Sequence, residues 1–166
     1  MLRATISFGL LGGTTLLIAA CGTTNPGETA YMKATVEGSL WQAEYVRCVY
    51  AEGIQLLYVD GKRVVAGDST YRVELELLPG AVGTFTLGSD GPTGVIRVAD
   101  FWGYETFSGW HTTDELGGSV TVTELDVSER RCSGTFSFTA MPFHGAATDP
   151  VAVANGSWTV ELTISD

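Results

Sequence analysis

The chain has 166 residues, of which 45% are hydrophobic and 17% charged, and this composition excludes an intrinsically disordered protein. Its 19 acidic and 9 basic side chains give a formal net charge of −10. A charge of this sign argues against nucleic acid or an anionic lipid surface as a partner of the folded part. The length suits one domain and is too short for two of ordinary size.

The first 20 residues have the layout of a secretion signal. Arg3 supplies a positive charge, an apolar run follows over residues 6–20, and small residues precede Cys21. The run is shorter than the roughly 20 residues that a membrane-spanning helix needs, so we expect residues 1–20 to be removed. Residues 21–30 hold no large apolar side chain and are expected to form a flexible tether, followed by a single domain over residues 31–166.

The segment Ile18-Ala19-Ala20-Cys21 resembles the lipobox of bacterial lipoproteins. The resemblance implies that the Cys21 thiol receives a diacylglyceryl group, that cleavage occurs before Cys21, and that the new amine is acylated, as by palmitate. Two or more acyl chains hold a protein on a membrane almost permanently. Gly22 follows the cysteine where an Asp would resemble an inner-membrane retention signal, which favours the outer membrane of the cell envelope. The alternative is an ordinary secretion signal with an incidental cysteine.

The rest of the chain shows the two-residue period of β-strands and no sustained helical period. Apolar and polar side chains alternate over residues 71–77, 119–123, 132–140 and 157–164. Strands with one apolar and one polar face are typical of antiparallel sheets. We therefore predict an all-β domain, an antiparallel β-sandwich or flattened barrel of about ten strands.

Several dipeptides predict the turns between these strands. Asp60-Gly61 predicts a tight hairpin between strands at residues 54–59 and 63–66, and Asn155-Gly156 predicts another before the last strand. Pro79-Gly80 predicts a turn in the middle of the chain, and every proline is expected to lie in a connection between strands.

Two cysteines lie on faces predicted to point inward. Cys48 shares a face with Val46 and Tyr50, and Cys132 shares one with Phe136. An envelope location is oxidising, so a Cys48–Cys132 disulfide is one prediction, and it would contribute about 4.5 kcal/mol in the chain-entropy model. The alternative is two buried thiols too far apart to bond.

Four segments together resemble a family of bacterial envelope lipoproteins catalogued as a domain of unknown function. They are residues 38–43, 118–126, 133–140 with its Gly-Thr-Phe-Ser-Phe motif, and 155–158. The resemblance covers about residues 31–166 and implies an all-β domain on a lipid tether. It brings no catalytic residues with it.

Features of catalysis or metal binding are sparse. The chain has two histidines, His111 and His144, and no Gly-x-Ser-x-Gly or Cys-x-x-Cys motif. Asp114 lies near His111, and Asp149 near His144, without a dense cluster of ligands. We therefore expect no catalytic residue, no metal and no cofactor.

The segment from residue 100 to 114 is the main candidate for binding, because its aromatic side chains suit sugar stacking or a protein contact. Its candidate ligand-binding residues are Trp102, Tyr104, Trp110 and His111. In one regular strand, parity would separate Trp102, Tyr104 and Trp110 from Phe101, whereas a bend at Gly103 and Gly109 would let both sets turn inward. The alternative is that these rings fill the core. The loop at residues 142–150, with Phe143 and His144, is a second candidate.

The sequence thus predicts a lipid-anchored, non-catalytic binding or structural protein of the bacterial envelope. Its expected partners are the membrane, through Cys21, and a glycan or an envelope protein. Carbohydrate binding at the cell surface is one alternative function, and an envelope hydrolase or an inhibitor of one is another.

Overall fold

A computed structural model describes residues 30–64, 70–88, 96–103 and 108–165. This part of the chain forms eleven β-strands and no helix. The strands are β1 (Tyr31–Val36), β2 (Ser39–Gln42), β3 (Tyr45–Ala51), β4 (Leu56–Val64), β5 (Thr70–Leu78), β6 (Gly83–Leu87), β7 (Ile96–Gly103), β8 (Ser108–His111), β9 (Gly118–Asp126), β10 (Arg131–His144) and β11 (Val151–Ser165). Within the same ranges, no helix could cross a membrane.

The strands form two layers that share β10 and β11. The first layer has the order β2-β1-β11-β10-β9-β6, and the second has the order β11-β3-β4-β5-β7-β8-β10. The pairing of β10 with β11 closes the second layer into a circuit, so the sheet bends around a common core. The predicted all-β sandwich or flattened barrel is confirmed.

One pairing departs from the expected antiparallel arrangement. β11 pairs with β1 up to Thr159, and its last residues, from Leu162 to Ser165, then pair in parallel with β3. The other strand pairings of the described residues are antiparallel. The sheet is therefore mixed. This pairing arises because the 15-residue β11 is long enough to leave the first layer and enter the second.

The inward faces agree with the alternation in the sequence. Val73, Leu75 and Leu77 of β5 are fully buried, and Trp158 and Leu162 of β11 are nearly so. The buried set continues through every long strand as one hydrophobic cluster between the layers. Burial of apolar area at about 25 cal/mol per Å² is the main stabilising contribution of such a core.

Asp60-Gly61 is not a hairpin turn, and this prediction is wrong. β4 runs without interruption through both residues, and the turn before it spans Glu52 to Gln55, where Gln55 has a positive φ of 58°. Gly61 instead lies against the first layer, since a Cβ added there would lie 2.2 Å from the Met32 sulfur. The glycine is required by packing between the layers rather than by a turn.

Asn155-Gly156 is likewise a bulge within β11 rather than a turn between two strands. Asn155 has a φ of 52°, and pairing with β10 jumps from Gly156 to Val153 while β10 advances by only two residues. The pairing of β11 with β1, on the other side of the strand, shows the same extra residue in β11. The bulge reverses parity, so Val153 before it and Trp158 after it both face the core.

Pro142 lies inside β10, which contradicts the expectation that every proline is in a connection. Pairing with β9 ends at Phe138 and pairing with β11 at Ala140, so Pro142 has only β8 as a neighbour. A register shift follows it directly. Proline is tolerated where one side of a strand is unpaired or bulged.

Candidate functional site

A row of charged side chains crosses the outer face of the second layer. Arg47 of β3 pairs with Asp60 of β4, Asp60 with Glu74 of β5, Glu74 with Asp100 of β7, and Asp100 with His111 of β8. Residues directly opposite one another project from the same face of a sheet. Five consecutive strands therefore place one ionisable group each in a single line across the sheet.

Arg72 holds the middle of this row together. Its Nε donates to Asp60 Oδ1 at 2.6 Å, and its Nη2 lies 2.7 Å from both Glu74 Oε1 and the Tyr58 hydroxyl. Tyr58 in turn donates to Glu74 at 2.5 Å. The side chains of Asp60 and Glu74 are only 12% and 14% exposed, so these contacts are partly shielded from water.

The pKa shifts of Arg72 and Tyr58 both favour the protonated form of the side chain. The hydrogen bond to Asp60 is the main cause of a raised pKa for Arg72, with the charge of Glu74 adding to it. Burial, followed by the hydrogen bond to Glu74, raises the pKa of Tyr58. The guanidinium and the phenol thus keep their protons, and the carboxylates remain their acceptors.

The row ends in a cluster of rings. Trp102 Nε1 donates to Glu74 Oε2 at 2.9 Å, and its ring meets Phe143 edge-on at 5.1 Å between centroids. His111 hydrogen-bonds Asp100 and lies 5.9 Å from the same Phe143 ring. Phe143 is 55% exposed, which leaves a large aromatic surface open to solvent.

A glycine makes room for these rings. A Cβ on Gly109 would lie 2.7 Å from the Trp102 ring and 2.9 Å from Phe143. The register places Gly109 directly opposite Trp102 on one side and His144 on the other. The cluster therefore depends on a strand position without a side chain.

We call this surface the polar–aromatic face. Its members are Arg47, Tyr58, Asp60, Arg72, Glu74, Asp100, Trp102, His111, Phe143 and His144. Carboxylates, two guanidinium groups and partly exposed rings held at fixed spacing suit the recognition of a polar ligand by hydrogen bonds and stacking.

The predicted binding residues divide between two faces. Trp102 and His111 lie on the polar–aromatic face, whereas Trp110 lies opposite Phe101 on the core side, with ring centroids 5.6 Å apart. The chain does not form one regular strand here: Trp102 belongs to β7 and Trp110 to β8, so shared parity does not place them on one face. Tyr104 lies outside the described residues.

Phe143 and His144 join the same face from the far end of β10, so the two candidate segments of the sequence meet in one place. Sequence reasoning missed Asp60, Arg72 and Glu74. The polar side of residues 71–77 was the available signal, but it does not reveal which strands lie beside β5.

Another surface feature lies outside the polar–aromatic face. The outer face of the first layer has a shallow hollow of about 400 Å³, with lining residues Ser119, Thr121, Thr135, Phe136, Ser137, Asn155, Gly156 and Ser157. In the described part of the chain, no three His, Cys, Asp or Glu side chains are grouped so that they could hold a metal ion. Cys21 lies outside that part.

The architecture and site define an all-β sandwich with a preformed polar–aromatic surface. Residues 28–159 match the family described as Domain of unknown function (DUF6252), and the chain belongs to this family. No curated protein and no solved structure gives a significant match.

Proposed function

We propose that the protein is a lipid-anchored, non-catalytic binding module of the bacterial cell envelope and that the polar–aromatic face is its ligand surface. The row from Arg47 to His111 is the main support, because it holds charged groups in a fixed arrangement beside an exposed ring. Phe143 keeps more than half of its surface open to solvent, and the ion pairs hold polar groups in place beside it. An exposed ring next to polar groups of fixed position is suited to recognition.

The anchor is proposed at Cys21, and the fold is compatible with it. About ten residues separate Cys21 from the start of β1, so an extended tether would reach roughly 33–36 Å. β1 belongs to the first layer, whereas the polar–aromatic face is the outer side of the second. A chain held at its N-terminus would thus leave the ligand surface free of the membrane.

The anchor is tested by replacing the acylated thiol. Cys21→Ser should leave an uncleaved precursor that fails to take up labelled fatty acid, and inhibition of the lipoprotein signal peptidase should accumulate a lipidated but uncleaved form. Fractionation of the envelope then tests the outer-membrane location. Normal processing and membrane retention of Cys21→Ser would refute the anchor.

Carbohydrate is the ligand class that the polar–aromatic face favours. Trp102 and Phe143 offer ring surface, while Glu74 and Asp100 offer acceptors for hydroxyl groups beside them. A ring surface flanked by planar polar groups matches the alternating apolar and hydroxyl-bearing faces of a sugar.

A glycan array with residues 22–166, which include every described residue, tests this ligand class. Phe143→Ala should abolish binding to any glycan that the protein retains. Ile54→Ala is the matched control, because Ile54 is 63% exposed in the turn before β4, away from this face. Equal binding by both variants would refute recognition through the face, and turnover of a glycan would refute the non-catalytic assignment.

A further inference from the structure

We propose that Cys48 and Cys132 form a disulfide that staples β3 to β10 at the corner where β11 passes between the layers. Both residues are fully buried, and both carry free thiols in the structure. This inference concerns the core and does not depend on the ligand of the polar–aromatic face.

The position of the pair follows from the strand register. Cys48 lies opposite Leu162 on one side of β11, and Cys132 lies opposite Val160 on the other side. In a flat sheet, strands on either side of a third are about 9.6 Å apart, too far for a disulfide. Here β11 passes from the first layer to the second, so the sheet is folded at this point, and Cys48 and Cys132, opposite the buried Leu162 and Val160, both face the enclosed core. A hydrogen bond between the two thiols is the largest influence on the pKa of each.

The corner is also the place where β11 changes its pairing partner. β11 leaves β1 after Thr159 and pairs with β3 only from Leu162, over four residues and in parallel. Parallel pairing is slightly weaker per residue than antiparallel pairing. A disulfide between β3 and β10 would join the two strands that flank β11 at the point where β11 and β3 pair over only four residues.

The two sulfurs also influence each other's ionisation. The hydrogen bond from Cys48 is the main cause of a lowered pKa for Cys132, and the Trp158 indole donates to the same sulfur at 3.3 Å. The hydrogen bond to Cys132, together with burial, raises the pKa of Cys48. Because both sulfurs are fully buried in the folded domain, the bond forms while the chain is folding.

The oxidant is a protein or small-molecule disulfide of an oxidising compartment. The thiolate of one cysteine attacks one sulfur of that disulfide, forms a mixed disulfide and releases one thiol. The other cysteine then loses its proton and attacks the sulfur of the first in the mixed disulfide, which forms the Cys48–Cys132 bond and releases the second thiol. Two protons and two electrons leave the protein, and the oxidant is reduced to two thiols.

The test uses exported protein purified without reductant, unfolded and treated with an alkylating agent before mass spectrometry. We expect neither Cys48 nor Cys132 to be alkylated, and a mass about 2 Da below that of the reduced chain. After reduction, both cysteines should be alkylated. Two alkylated cysteines in the unreduced sample would overturn the proposal.

Thermal unfolding distinguishes the stability contributed by the disulfide bond from that contributed by packing of the two sulfur atoms. Reductant should lower the Tm of the wild-type protein by roughly 5–15 °C, with reduction verified by alkylation. The Tm of the double variant Cys48→Ala/Cys132→Ala should not respond to reductant. A wild-type Tm that is unchanged once both thiols are shown to be free would refute the structural role.

Discussion

Arg72 and Arg47 both form ion pairs with Asp60, but we expect their removal to have very different effects. The Arg72 side chain is 25% exposed and contacts Asp60, Glu74 and Tyr58 at 2.6–2.7 Å. The Arg47 side chain is 55% exposed and reaches Asp60 at 3.2 Å. Replacement by Met keeps much of the apolar stem of each side chain and removes the guanidinium with its charge.

The expected magnitude follows from these contacts. Hydrogen bonds to charged groups contribute about 1.5–3 kcal/mol each when shielded, and partial exposure of Arg72 reduces this. We expect Arg72→Met to lower the free energy of unfolding by about 2–3 kcal/mol, since Asp60 and Glu74 are then left facing each other without a cation. Arg47→Met should cost less than about 1 kcal/mol.

Urea unfolding followed by tryptophan fluorescence measures both variants. With an m-value of about 1–3 kcal/mol/M, Arg72→Met should lower the midpoint by roughly 0.7–3 M, and Arg47→Met by less than about 0.3–1 M. Equal losses in the two variants at pH 7 would show that Arg72 does not organise the row.

Two further predictions concern glycines. Gly134→Ala should cost about 3 kcal/mol or more, because its Cβ would lie 2.1 Å from the Trp158 ring and 2.4 Å from the Thr121 carbonyl oxygen. Gly53→Ala is the matched control, since nothing lies within 4 Å of its Cβ, and urea midpoints compare the two. A similar midpoint for both would contradict the packing at Gly134. Gly109→Ala should displace the rings of Trp102 and Phe143 and weaken glycan binding at least tenfold in titrations, while circular dichroism stays native; unchanged affinity would show that the ring cluster is not the contact surface.

The strand alternation could be predicted from the sequence because it is a local property. A period of two over residues 71–77, 132–140 and 157–164 needs only neighbouring side chains and a sheet with one face on a core, and the burial of these strands agrees with it. The inward direction of Cys48 and Cys132 followed from the same rule. These inferences hold whatever the neighbouring strands are.

Prediction from the sequence failed where the environment of a residue is set by a contact with a distant part of the chain. Gly61 resembled a turn residue, but its lack of a side chain accommodates Met32 in the other layer. Trp110 shares parity with Trp102 but lies beside Phe101 on the core side, because the register between β7 and β8 sets its direction. Neither contact is visible within a short window of sequence.

The sequence by itself determined that the domain is all-β, which side of each strand is apolar, and that rings and charges concentrate between residues 100 and 114. The tertiary structure alone decided that Arg47, Asp60, Glu74 and His111 form one row and that Phe143 joins it from the end of β10. The physical reason is that side-chain alternation is local, whereas strand order and register are set by the closure of the whole sheet around its core.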